Sequence, residues 1–161
     1  MSVHRLDVET SGLMVFALNA STQSNLSKQF QKRVVGKRYI ALVEHSPAGN
    51  QGAIEAPLVK DPEPTHWPRQ KICHDSGRPS RTLWRIHERS IDEPLRQQGR
   101  TARLELRPET GRTHQIRVHL AFPPEEGGLG TPILGDTLYG SESTAPRLCL
   151  HAEGLAFWRP Y

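Results

Sequence analysis

Cysteine is scarce in this chain, long apolar runs are missing, and no tract repeats or falls into low complexity. With only two cysteines, Cys73 and Cys149, its 161 residues carry no disulfide framework of the kind small secreted domains need, and a reducing compartment is expected. Neither Cys73-His74 nor Cys149-x-His151 makes a zinc spacing, so no metal is expected. No stretch approaches the roughly 20 apolar residues that cross a bilayer, and the start lacks the apolar region of a secretory signal; a soluble, cytoplasmic chain is the expectation. Acidic residues are the minority charge, 17 against 21 Lys and Arg, for a formal +4. That surplus favours attraction to a phosphate backbone and salt-sensitive binding without choosing among RNA, DNA and membrane. It is also local: Lys28, Lys32, Arg33, Lys37 and Arg38 form one group, and Arg69, Lys71, Arg78, Arg81 and Arg85 another. The length fits one domain, 1–161, with a core of useful size.

What is present is concentrated in two segments. His4-Arg5-Leu6-Asp7-Val8-Glu9-Thr10-Ser11-Gly12 places an acid, two basic groups and a turn just ahead of the apolar run Leu13 to Leu18, which reads as a buried strand. Asp7 is therefore a candidate site residue, against the plainer reading in which it caps a turn through Thr10 or Ser11. Arg5 has its own plain reading, an ion pair with Asp7 or Glu9. The second segment, Gly111-Arg112-Thr113-His114-Gln115-Ile116-Arg117-Val118-His119-Leu120, follows the alternation Arg103 to Arg107 and reads as a turn and then a helix capped by Thr113. Ile116 and Leu120 share its buried stripe, and His114 and Arg117, three apart, face one way. A helix start holding Arg112, His114 and Arg117 reads as an anion site, or else as a solvated basic face.

These two segments resemble the RluA family of pseudouridine synthases, together with Lys37-Arg38-Tyr39-Ile40-Ala41, Pro132-Ile133-Leu134-Gly135-Asp136 and Leu148-Cys149-Leu150-His151-Ala152. The blocks match in order and spacing from residue 4 to residue 152. Trp67-Pro68-Arg69-Gln70-Lys71-Ile72-Cys73 further resembles the dual-specificity ribosomal and transfer RNA subgroup. The resemblance implies a cofactor-free isomerisation in which a uridine base in RNA is detached, rotated and rejoined to ribose through carbon. It assigns Asp7 as nucleophile, Tyr39 as the residue that packs on the uracil and takes part in proton removal, and Arg117 as the partner of the Asp7 carboxylate. Arg5 would fill the gap left by the extruded base, a role suited to a planar guanidinium. Lys37, Arg38, Arg69, Lys71, Arg112, His114 and Gln115 complete the expected RNA contacts.

A coarse pass predicts a strand near 13–18 and a helix near 20–33 with Leu26 and Phe30 on one face. Strands follow at 37–44, 53–59, 81–88 and 101–107, then the helix from 113 and a last strand across 147–158. Runs of strands with few helices mean an α+β fold with a mixed, mostly antiparallel sheet, which agrees with the central RNA-binding cleft of the family fold. The Pro-rich loop 61–68 is no sheet interior and, with Trp67 and Arg69, reads as an RNA-contacting insert. The connection 122–130 is longer than is usual in the family. Family members also carry a strand-rich segment before the H-R-L-D block, where this chain has three residues. The chain is therefore expected to be incomplete at its N-terminus, with residues 1–12 mobile or held by a second copy through an exposed sheet edge, and less active than an extended chain. Two other functions fit parts of the sequence. One is an RNA-binding remnant without a competent site; the other is a hydrolase pairing Asp7 with Asp136 or Glu109.

Overall fold

The structure, a computed structural model, describes residues 1–89, 101–141 and 145–160. Its elements in chain order are β1 Ser11–Gly12, α1 Ala20–Gln31, β2 Gly36–Val43, β3 Gln51–Glu55, β4 Leu58–Lys60, β5 Gln70–Ile72, β6 Arg81–Arg89, β7 Ala102–Pro108, α2 Gln115–Ala121 and β8 Leu150–Ala156. Six strands form one sheet in the order β1-β8-β2-β7-β6-β3, and β4 and β5 pair separately as a hairpin. Only β1 and β8 run parallel, so the α+β, mostly antiparallel expectation holds. No helix among the described residues is long and apolar enough to cross a membrane.

Alternation sets the two faces of the sheet. Ala41 and Val43 of β2, Trp84 of β6, Leu104 and Leu106 of β7 and Leu150 of β8 turn inward and are buried with Ile116, Val118 and Leu120 of α2. On the other face Glu105 of β7 is held by two arginines, one across the strands on β6 and one on its own strand. Arg85 and Arg107 both bind Glu105, at 2.7 and 2.8 Å. Burial alone would raise the Glu105 pKa, but the two guanidiniums outweigh it and hold the carboxyl below its ordinary range.

Three expectations for the elements change. Leu13 to Leu18 is not a buried strand: Leu13, Phe16 and Leu18 are exposed, and only Phe16 makes a strand-like bridge, to Ser2. The sheet pairing lies one step earlier, at Ser11 and Gly12 against His151 and Ala152. Composition marks such a run as apolar, but burial depends on what the sheet edge has opposite it. The span 53–59 divides at Ala56 and Pro57 into strands of two different sheets, and β5, for which no strand was expected, pairs with β4 from Leu58 to Ile72. The final strand is shorter than expected, which leaves Trp158 exposed beyond its end.

Residues 1–12, expected to be mobile or held by a second copy, are tied to this chain. The Met1 ammonium donates to the Ala17 carbonyl at 2.7 Å, the Val15 N–H donates to His4 Nε2 at 3.0 Å, and the His4 ring stacks on Phe30 of α1. Leu13 N–H donates to the Ala152 carbonyl, closing the loop of residues 4–12 on β8. Gly12 makes that approach with φ +121, and a Cβ there would meet the Ala152 carbonyl oxygen at 2.2 Å. Gly12→Ala is therefore expected to cost about 2 kcal/mol or more and to pull the loop off β8, seen as a lower Tm and faster amide exchange of Leu13.

Candidate active site

The loop before β1, the cleft-facing side of β2 and the turn before α2 converge on a cleft of about 450 Å³. Asp7, Arg5, Thr10, Lys37, Tyr39 and Arg112 are among its lining residues. The turn that carries Asp7 is closed by its backbone, Thr10 N–H donating to the Asp7 carbonyl at 3.0 Å. The Asp7 carboxylate itself makes no hydrogen bond or ion pair among the described residues, so it does not serve as a turn cap. Arg5 is exposed and likewise enters no ion pair among the described residues. The Thr10 hydroxyl is buried with no partner among the described residues, a polar atom on the cleft wall.

Arg117 does not pair directly with Asp7, contrary to the sequence expectation. It lies 2 % exposed on α2 and grips Asp136, with Nε to Oδ2 at 2.8 Å and a terminal nitrogen to Oδ1 at 2.7 Å. The same terminal nitrogen reaches Glu9 at 3.2 Å. Burial works against its charge, but Asp136 first, then Glu9 and Asp7, raise the Arg117 pKa. Arg117 thus anchors the loop of residues 4–12 through Glu9, two residues beyond Asp7, while Asp7 feels its charge from farther off. Glu9 was missed in the sequence because its alternative partner, Arg5, is nearer along the chain.

Tyr39 and Lys37 enter the cleft from alternate positions of β2. Burial first, and then the Asp7 charge, raise the Tyr39 pKa. Lys37 Nζ donates to the Thr110 carbonyl at 2.7 Å, and burial followed by repulsion from Arg33 lowers its pKa to about 8. A Lys that titrates lower when folded than unfolded makes stability rise with pH between about 8 and 10.5, where the unfolded chain still binds the proton. Lys37→Met is expected to remove that rise, and lysine-selective NMR to find one ammonium titrating near pH 8.

Several expected RNA contacts are committed elsewhere. Arg38 falls on the opposite face of β2 from Lys37 and Tyr39, ion-paired at 3.0 Å with Glu153 at the bulge in β8. Gln115 is buried and its amide is fully used, accepting from the Thr110 hydroxyl and Arg112 N–H and donating to the Arg81 carbonyl and Thr82 hydroxyl. His114 is also buried, 2.8 Å from the Tyr139 hydroxyl. It occupies the left-handed region at φ 53 as the residue before α2, so Thr113 is not the cap. The helix spans seven residues, its first N–H goes to the Arg112 carbonyl, and His114 and Arg117 turn inward, so of the three basic residues at the helix start only Arg112 lines the cleft. Arg69 lies over the Tyr139 ring at 5.3 Å, and Lys71 sits on β5; neither lines the cleft. The connection 122–130 folds onto the end of α2, with Leu129 N–H donating to the His119 carbonyl and Thr131 N–H to that of Leu120.

A larger cavity of about 930 Å³ adjoins the cleft and shares Arg33, Val35, Lys37, Pro108 and Thr110 with it. It runs past the ends of β2, β7, β6 and β3. Glu109, one candidate second acid, sits there bound to Arg81 at 2.6 Å, and Asp136, the other, is locked to Arg117. Neither is free to work with Asp7 as the second carboxylate of a hydrolase.

The protein family described as RNA pseudouridylate synthase matches residues 1–122. The dual-specificity RNA pseudouridine synthase RluA of Escherichia coli O157:H7 is 41 % identical over 99 % of this chain and 67 % of that protein. Its namesake in Pasteurella multocida is 42 % identical over 98 % and 66 %. The solved structure of human RNA pseudouridylate synthase domain containing 1 superposes with a TM-score of 0.83 at 28 % identity, covering 96 % of this chain and 62 % of that one. The chain thus spans about two thirds of the length of the relatives it matches.

Proposed function

We propose, for a chain that belongs to the RNA pseudouridylate synthase family, that the cleft isomerises uridine in ribosomal or transfer RNA to pseudouridine, with Asp7 as its nucleophile. The observation that carries this reading is an Asp7 carboxylate with no structural partner among the described residues, set in a cleft beside Tyr39, Lys37 and Arg112. A carboxylate placed only to hold a turn or a neighbouring arginine would be bonded to it. Asp7 bonds covalently to the target nucleotide while the N1 to C1′ bond is broken and the base turns. Rejoining C1′ to C5 breaks the Asp7–nucleotide bond and frees the carboxylate, while C5 gives up its hydrogen as a proton and N1 takes one up. With its pKa raised, Tyr39 is protonated at neutral pH, which suits a surface for the uracil and a hydrogen-bond donor better than a free base.

A uracil inside an RNA fold must be extruded to reach Asp7, at a cost of roughly a few kcal/mol. Exposed, unpaired Arg5 at the rim is placed to occupy the vacated stack, and Lys37 and Arg112 to bind phosphates beside it. Arg69 and Lys71 extend the contact onto the β4–β5 hairpin. Any pairing with a second copy falls to the edge strands β1 and β3, and sedimentation across a concentration series reads it directly.

The test is incubation of the protein with unmodified ribosomal and transfer RNA followed by mapping of carbodiimide-adduct stops. Discrete new stops at uridines are expected. RNA bound with salt-sensitive affinity but no stop at any uridine would instead favour a binding remnant. In the same assay Arg69→Ala and Lys71→Ala are expected to weaken binding severalfold and each lower the salt slope by about 1, without changing which uridine reacts.

A further inference from the structure

Tyr139 lies outside the cleft lining yet joins the parts that hold it. Its hydroxyl accepts the Gln70 backbone N–H at 2.7 Å, at the start of β5, and sits 2.8 Å from His114 Nδ1. Both the Arg69 and the Arg117 guanidinium carbons lie over its ring, 5.3 and 5.4 Å from the centroid. Its own N–H donates at 3.1 Å to Asp136 Oδ1, the oxygen that also takes Arg117. One side chain therefore bridges the β4–β5 hairpin, the turn into α2 and the Asp136 loop.

A backbone N–H only donates, so the Tyr139 oxygen accepts from Gln70. The hydroxyl proton has His114 Nδ1 as its acceptor in the neutral tautomer that carries its proton on Nε2. Burial lowers the His114 pKa against the pull of Asp7, and burial pushes Tyr139 up to about 12, so the arrangement persists around neutrality. The hairpin that carries Arg69 is in this way connected to the arginine that holds Glu9 and the Asp7 loop.

We propose that Tyr139 is a positioning residue that locks the β4–β5 hairpin to Arg117, so that RNA engaging Arg69 sets the placement of the Asp7 loop. The turnover half of the test rests on the pseudouridine synthase reading; the rest does not. Tyr139→Phe keeps the ring beneath both guanidiniums and removes only the hydroxyl. Its kcat is expected to fall roughly ten- to a hundredfold, as loss of alignment does, with KM for RNA little changed. Arg69→Ala should lower kcat in the native background and leave it unchanged in the Tyr139→Phe background. Multiplicative effects of the two substitutions, or an unaltered kcat in Tyr139→Phe, would overturn the proposal. Amide exchange decides it independently of catalysis: Gln70 N–H should exchange at least about tenfold faster in Tyr139→Phe while β6 and β7 stay protected, and equal Gln70 exchange overturns the lock. Arg69→Met, at a half-buried site, covers the case in which Tyr139→Phe does not fold. It should move the His114 ring-nitrogen resonances although Arg69 and His114 meet only through Tyr139, and unmoved resonances would again overturn it. A native protein that forms no pseudouridine but shows both NMR effects would leave the lock standing and remove the catalytic reading.

Discussion

Asp7→Asn is expected to lower pseudouridine formation by at least about a thousandfold, the scale on which enzymes lose rate with their nucleophile, while RNA binds as before. The amide has the carboxylate's shape and lacks only its charge and nucleophilicity. Because the Asp7 side chain makes no hydrogen bond or ion pair among the described residues, the exchange should leave stability within about 0.5 kcal/mol. Single-turnover assays with saturating protein, alongside a thermal melt and a filter-binding isotherm, separate the three quantities. Substantial product from the variant would remove Asp7 as nucleophile, and a large loss of stability would mean that the carboxylate holds the loop instead.

Arg117→Met is the second large effect, and it should strike stability and turnover together. The substitution leaves Asp136, 1 % exposed, as a buried carboxylate whose only partners among the described residues are the Leu138 and Tyr139 N–H groups, and it releases Glu9. Breaking a buried pair by removing one member costs about 3–5 kcal/mol. Adding Asp136→Asn keeps an acceptor for those two N–H groups and removes the stranded charge, so the double variant should recover part of the stability. It should recover none of the turnover, because the tether to the Asp7 loop is still absent. Denaturant melts and initial rates on the single and double variants check this; parallel recovery of both would mean that Arg117 acts on catalysis only through folding.

The sheet was legible in the sequence wherever alternation was clean. β7 reads directly because Leu104 and Leu106 alternate with Arg103, Glu105 and Arg107, β2 and β6 from the apolar residues at 39–43 and 83–86, and α1 from the spacing of Leu26 and Phe30. The apolar run at 13–18 misled because no local pattern records what lies across a sheet edge. Asp7, Tyr39, Arg5, Lys37 and Arg112 were named from motif blocks, and the fold brings all five to one cleft. Partner choice was not legible. Arg117 and Asp136 lie 19 residues apart and meet only through the loop after α2, and Glu9 wins the arginine's remaining nitrogen although Asp7 was the residue expected there. His114 and Gln115 look like surface RNA contacts in sequence, yet the tight turn before α2 drives both inward, where burial obliges their polar atoms to find protein partners.

The most direct measurement of the central claim is tritium release from RNA carrying uridine labelled with tritium at C5. Joining C5 to ribose must expel that hydrogen, whereas binding, base extrusion and hydrolysis of the phosphate backbone leave it in place. The native chain should release tritium to solvent in proportion to pseudouridine formed, and Asp7→Asn should release none above background. Retention of the label by the native chain on both ribosomal and transfer RNA, or equal release by the variant, would contradict an Asp7-dependent isomerisation.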